Sequence, residues 1–168
     1  SLGGIRLGVT MGIDKRIKAG FFAVAGGNIP EIIAYSQEVH AKPWREHRMK
    51  IEGFKNEVEV YDYVKKNNLI DPLYLAKNIP RENVYFLLSD MDASVPTKNQ
   101  IELMTAFGTP NHRYMGLPHM FAGAYSYFLT DKIFLSLLDP MLENLEKKAH
   151  LKEASTASST KGAANAGS

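Results

Sequence analysis

The sequence predicts an α/β fold built on a parallel sheet, and three observations carry that prediction. Residues 17–26 (IKAGFFAVAG) and 83–89 (NVYFLLS) are strand-length runs that are apolar throughout rather than alternating. Continuous apolarity marks strands covered on both faces, as in parallel sheets. Stretches of helical character separate these runs from each other and from a third short run at 112–117. Alternating strand and helix is the pattern of an α/β domain. The 168 residues are enough for one ordinary domain with a sizeable core.

The elements follow in order. Residues 1–14 hold Gly3, Gly4, Gly8 and Gly12 among Ile5, Leu7, Val9 and Met11. Glycine is a poor helix former, yet the apolar residues demand burial, and a Gly-rich helix packed closely on a sheet satisfies both. Asp14-Lys15-Arg16 reads as a polar turn, followed by the first strand and Gly26-Gly27-Asn28. Residues 30–41 read as a helix with Pro30 in its first turn. Residues 44–66 are charged, with scattered apolar positions, and predict two or three amphipathic helices; Asp71-Pro72 opens another short one at 73–77. This helical stretch, 31–78, is longer than a simple crossover needs and is expected to form a cap-like insertion. After the second strand, 90–96 is a polar loop and 97–107 a helix ended by Gly108. Residues 112–117 form the third strand, and Pro118-His119 follows directly. Residues 131–150 read as an amphipathic helix, with Ile133, Phe134, Leu137, Leu138, Met141 and Leu145 on one face. From 151 to 168 the composition turns to Ala, Ser, Thr, Gly and Lys, which cannot bury a core, so a disordered tail is expected.

Composition narrows the function. The net charge is +2 and the charges are mixed, so nothing points to nucleic acid or a membrane surface. No apolar run approaches the ~18 residues that span a bilayer. The absence of cysteine excludes disulfides, thiolate metal sites and a Cys nucleophile, and leaves the compartment undetermined. No His pair has the spacing of a helical metal site. Asp90 and Asp92 resemble the start of a calcium loop, but the later Gly and Glu are missing. Gly26-Gly27-Asn28 is too short for a phosphate-binding fingerprint. No metal or cofactor is expected.

The chemistry-bearing residues are Ser1, Asp92 and His119. Ser1-Leu2-Gly3 matches the right half of the Gly-x-Ser-x-Gly nucleophile elbow, and Asp92 and His119 follow in the order Ser, Asp, His. Ser89-Asp90-Met91-Asp92-Ala93-Ser94-Val95-Pro96 resembles the α/β-hydrolase acid loop Gly-x-x-Asp-x-x-Val-Pro, with Ser89 in place of Gly. Asp71-Pro72-Leu73-Tyr74-Leu75-Ala76 and Ile79-Pro80 resemble the family's approach to the acid strand, and Asp14-x-Arg16-Ile17-Lys18-Ala19 its exit from the nucleophile helix. The resemblance covers residues 1–149. It implies the C-terminal half of an α/β-hydrolase domain (1–150), a serine esterase beginning on its own nucleophile. The expected partners are a small-molecule ester and an N-terminal half or second chain.

In that template Ser1 attacks the carbonyl, His119 is the base, and Asp92 orients His119. The Leu2 N–H supplies one oxyanion-hole donor at a helix start. The second donor normally comes from a loop after an early strand, which this sequence does not contain.

Other readings stay open. Asp90 is the alternative acid. Asp92 in a polar turn, and a loop His119, are also compatible with purely structural roles, and so is a terminal Ser. His112 precedes the third strand, and His40, His47 and His150 fall on helices. Trp44, Phe54, Tyr61 and Tyr63 read as helix–helix core, with an acyl pocket as the alternative. Two further functions remain: an amidase using Ser1 with its own α-amino group as base, and a non-catalytic fragment or split subunit binding through an exposed sheet edge.

Overall fold

Three short strands, all parallel, form the centre of the structure: β1 (Gly20–Ala23), β2 (Val84–Ser89) and β3 (His112–Met115), in the order β1-β2-β3. The register places Phe22 beside Phe86 and Phe86 beside His112. This computed structural model describes residues 1–39, 41–68, 70–109, 111–128 and 135–164. β2 is buried along its whole length, which is why its sequence does not alternate.

One face of the sheet carries Phe22, Val84, Phe86 and Leu88. They pack with Met11, Leu103 and Phe107 into the larger core. Phe22 stacks on Phe86 with ring centroids 4.8 Å apart, and Phe107 closes edge-on against Phe86. The other face carries Leu87, packed with Val24, Met115 and Ala122. The sheet therefore has side chains buried on both sides, the α/β arrangement expected from the continuous apolar runs.

Helix α1 (Leu2–Ile13) lies against β1 and is glycine-rich for a steric reason. A Cβ added at Gly8 would stand 2.9 Å from the Cβ of Pro72, and one at Gly12 would stand 2.4 Å from the Cβ of Leu75. Both are closer than side chains tolerate, so these glycines set the helix-to-neighbour distance.

Between β1 and β2 run α2 (Ile29–Tyr35), α3 (Ala41–Glu52), α4 (Glu57–Asn67) and α5 (Pro72–Leu75), then two 3-10 turns. The buried Asp71 carboxylate ties the two ends of this insertion. It accepts from the backbone N–H groups of Asn28 and Ile29 at the start of α2, and from Leu73 at the start of α5. These are helix-capping bonds made across the fold.

The expected elements differ in extent. β1 occupies only the middle of 17–26. Val24 leaves it at φ 44°, a left-handed conformation that is strained for a β-branched residue. Its N–H still bonds Leu87 O and its side chain is buried. α2 stops at Tyr35 instead of continuing to 41, because Ser36 turns extended and bonds elsewhere. Helix α6 (Thr97–Phe107) has the predicted limits and ends on Gly108 at φ 64°.

Helix α7 (His119–Phe128) was not expected; its large apolar residues Met120, Phe121 and Tyr125 are exposed, while the small Ala122 packs into the core. Helix α8 runs from Leu135 to Ala164. The predicted start at 131, with Ile133 and Phe134, lies outside the described residues. So does the far end of the expected disordered tail, 165–168, whereas 151–164 is helical. Ala, Lys and Glu in this stretch are good helix formers, and a helix needs no core of its own to be drawn on from the preceding turns. Among the described residues, no helix is long and apolar enough to cross a membrane.

Candidate active site

Three separate elements converge beyond the carboxyl ends of the strands. Ser1 is the N-cap of α1, and Gly4 one turn on packs against Phe22 and Ala25 at the end of β1. Asp92 stands in the loop after β2. His119 opens α7, four residues after β3 ends. In open parallel sheets this end is where loops gather to form sites.

Ser1 Oγ lies 3.1 Å from His119 Nε2, and His119 Nδ1 lies 2.6 Å from Asp92 Oδ2. A carboxylate can only accept, so Nδ1–H donates to Asp92 and Nε2 is left to accept from the Ser1 hydroxyl. The 3.1 Å separation is within reach of proton transfer. The structure thus brings together the three residues singled out in the sequence, 118 positions apart at the extremes.

The Asp92 side chain has no solvent exposure, while His119 keeps 23%. Asp92 Oδ1 accepts the backbone N–H groups of Ser94 and Val95, and Oδ2 accepts from Gln100 Nε2 at 3.1 Å as well as from His119. Every lone-pair direction of this buried carboxylate is engaged, as burial of a charge demands. Asp90, the alternative acid, is exposed and its backbone N–H bonds Met115 O. His112 packs its ring against Tyr114 on β3, His47 lies on α3, and His40 lies outside the described residues.

Leu2 follows Ser1 as the first helical residue. Intrahelical bonding begins with Ile5 N–H on Ser1 O, so the N–H groups of Leu2, Gly3 and Gly4 have no intrahelical acceptor. The Ser1 α-amino group is held below its ordinary pKa, because burial disfavours its charge more than nearby Asp92 stabilises it.

Two supporting residues were missed in the sequence. Gln100 is fully buried on α6. Its amide donates to Asp92 and to Val95 O at 2.7 Å, and its carbonyl accepts from Ser89 N–H. A signal existed: Gln100 falls on the same helical stripe as Leu103 and Phe107, and a polar residue on a buried stripe requires partners. Ser89, at the position where the acid loop resembles one with Gly, is also fully buried. Its hydroxyl donates to Leu117 O, two residues before His119.

The cleft above Ser1 and His119 has a volume of about 390 Å³, with Leu2, Ile5, Ile32, Ile33, Val95 and Met120 among its walls. Its far wall is fastened to the acid loop: Ser36 Oγ donates to Ser94 O, and Gln37 N–H to Ala93 O. Trp44 is exposed, and Phe54 and Tyr63 pack on each other away from Ser1. No group of three or more acidic or His side chains suited to a metal ion occurs among the described residues. Comparisons with protein-family models, with curated proteins and with solved structures give no match.

Proposed function

We propose that the chain is a serine hydrolase of carboxylic esters. The observation that carries this reading is the continuous relay Ser1 Oγ–His119 Nε2 and His119 Nδ1–Asp92 Oδ2, at 3.1 and 2.6 Å, opening into a largely apolar cleft. The Ser1 oxygen attacks the ester carbonyl carbon while its proton passes to His119 Nε2. Asp92 holds the required tautomer and stabilises the imidazolium. The carbonyl oxygen gains negative charge at the start of α1, where the Leu2 N–H and the helix dipole favour an anion. His119 then returns the proton to the departing alcohol, leaving an acyl group on Ser1. Water attacks by the same route in reverse.

The order of strand, acid loop, helix, strand and histidine supports reading the sheet as the C-terminal half of an α/β-hydrolase fold, with α2 to α5 as a cap. On that reading β1, an edge strand among the described residues, pairs with a further strand from an N-terminal half or a second chain.

A fluorophosphonate probe read by intact mass tests the chemistry. One adduct per chain, mapped to Ser1 and lost in His119→Ala, is expected. An unlabelled wild-type chain, also after an N-terminal half is supplied, sinks the proposal.

A further inference from the structure

The helices between β1 and β2 hold a second, smaller pocket of about 100 Å³, partly open to solvent and walled by Trp44, Arg45, Arg48, Phe54, Val60 and Tyr63. Ile33 on α2 lines this cavity and also lines the cleft that holds Ser1 and His119. It is the residue common to both among those described, and it is half-buried. Between Val95 and Ile32 the cleft wall is closed: the two side chains converge on Gly26, where even a Cβ would stand 2.6 Å from Val95 Cγ1 and 3.1 Å from Ile32 Cδ1. Behind Ile33, by contrast, there is space with mostly apolar walls, to which Arg45 and Arg48 also contribute.

We propose that Ile33 is the partition that sets acyl-chain length, and that the substrates are esters of neutral, short, unbranched acyl groups. The inference rests on the reading of Ser1 as nucleophile. Neutrality follows from the walls: they are mostly aliphatic, and Glu38, which accepts the Ala41 N–H at the start of α3, adds a carboxylate that opposes an anionic acyl group. Length follows from volume. At roughly 30 Å³ per heavy atom, 390 Å³ takes about a dozen atoms, which is an ester group, a small alcohol and about four to six acyl carbons. The cavity behind Ile33 has room for about three more.

The partition is removable without loss of its frame. The buried Arg45 guanidinium donates through Nη1 to the carbonyls of Ile33 and Ser36, so the backbone of α2 is held independently of the Ile33 side chain.

The test measures kcat/KM for ethyl esters from acetate to dodecanoate, by titration of the released acid, on the full chain, as wild type, Ile33→Ala and Ile33→Phe, with fluorophosphonate labelling of Ser1 beside each. Wild type should peak between butanoate and hexanoate. Ile33→Ala should move the peak about three carbons longer. At about fourfold per methylene buried, the preference for nonanoate over hexanoate should rise by up to about sixtyfold. Ile33→Phe should leave the peak at or below butanoate. Intact labelling and acetate turnover with an unmoved peak in both variants overturns the partition alone. Absence of labelling and turnover in all three proteins, also after an N-terminal half is supplied, overturns the nucleophile reading and the inference with it.

Discussion

Replacing Asp92 by Asn tests the relay with one atom changed, and the structure dictates how the amide must sit. Asp92 Oδ1 accepts two backbone N–H groups, from Ser94 at 2.8 Å and Val95 at 2.9 Å. An amide NH2 there would face two donors, so the Asn oxygen takes that side and its NH2 takes the place of Oδ2. That places a donor 2.6 Å from His119 Nδ1. Nδ1 must then become the acceptor, the ring proton moves to Nε2, and Nε2 can no longer accept from Ser1. The chemistry is lost with the tautomer, while both turn-forming bonds survive. A tautomer error of this kind costs about 10⁴-fold in kcat, or about 5.4 kcal/mol of transition-state stabilisation. Gln100 loses an acceptor but keeps Val95 O at 2.7 Å, so the fold should lose only about 1–2 kcal/mol. The assay is p-nitrophenyl butanoate hydrolysis on a variant shown to be folded by urea denaturation. A kcat within tenfold of wild type would refute the argument, and a large loss in Asp90→Asn with none in Asp92→Asn would transfer the acid role to Asp90.

Two further predictions concern the frame. Gln100→Leu removes a donor to Asp92 and leaves the Ser89 N–H buried without its acceptor. It should cost about 2–4 kcal/mol in stability and lower kcat about tenfold at nearly constant KM; an unchanged kcat in the folded variant would show that Gln100 does not position the acid. Ala substitutions along α1 should divide by position: Gly3→Ala, with nothing within 4 Å, should stabilise by up to about 1 kcal/mol. Gly12→Ala, pressed on Leu75, should destabilise by about 1–3 kcal/mol in urea melts. Equal effects at the two sites would contradict close helix packing.

What the sequence reveals depends on whether a residue's role is local. α6 was legible to the residue because its limits are set by Pro96 before it and Gly108 after it. α1 was legible because only close packing reconciles four glycines with an apolar segment. β1 was overestimated because 17–26 is apolar for burial, while pairing ends where Val24 turns to positive φ. α7 was hidden because its large apolar residues do not mark its buried face: Met120, Phe121 and Tyr125 are exposed, while the small Ala122 packs into the core. At the site, Ser1, Asp92 and His119 stood in an ordered motif pattern. Gln100 and Ile33 lay outside it, and Ser89 stood in it only as a departure from Gly, since each acts through a neighbour that only the folded chain brings near.

Ser1, Asp92 and His119 sit on a loop and at helix starts, yet they are not held loosely. Ser89, the last residue of β2, accepts Thr97 Oγ1 at its carbonyl, gives its N–H to Gln100, and gives its hydroxyl to Leu117. One strand end thereby fixes both the helix that supports Asp92 and the segment that delivers His119. A buried polar network that is satisfied in this way rigidifies its surroundings. The cleft wall joins the same unit, because Ser36 and Gln37 at the end of α2 bond the carbonyls of the adjacent turn residues Ser94 and Ala93. Lifting α2 would break those bonds and disturb the turn that holds Asp92 in place. On the proposed chemistry, substrate therefore enters through the mouth beside the exposed Leu2 and Met120, with α2 fixed as a wall rather than moving as a lid.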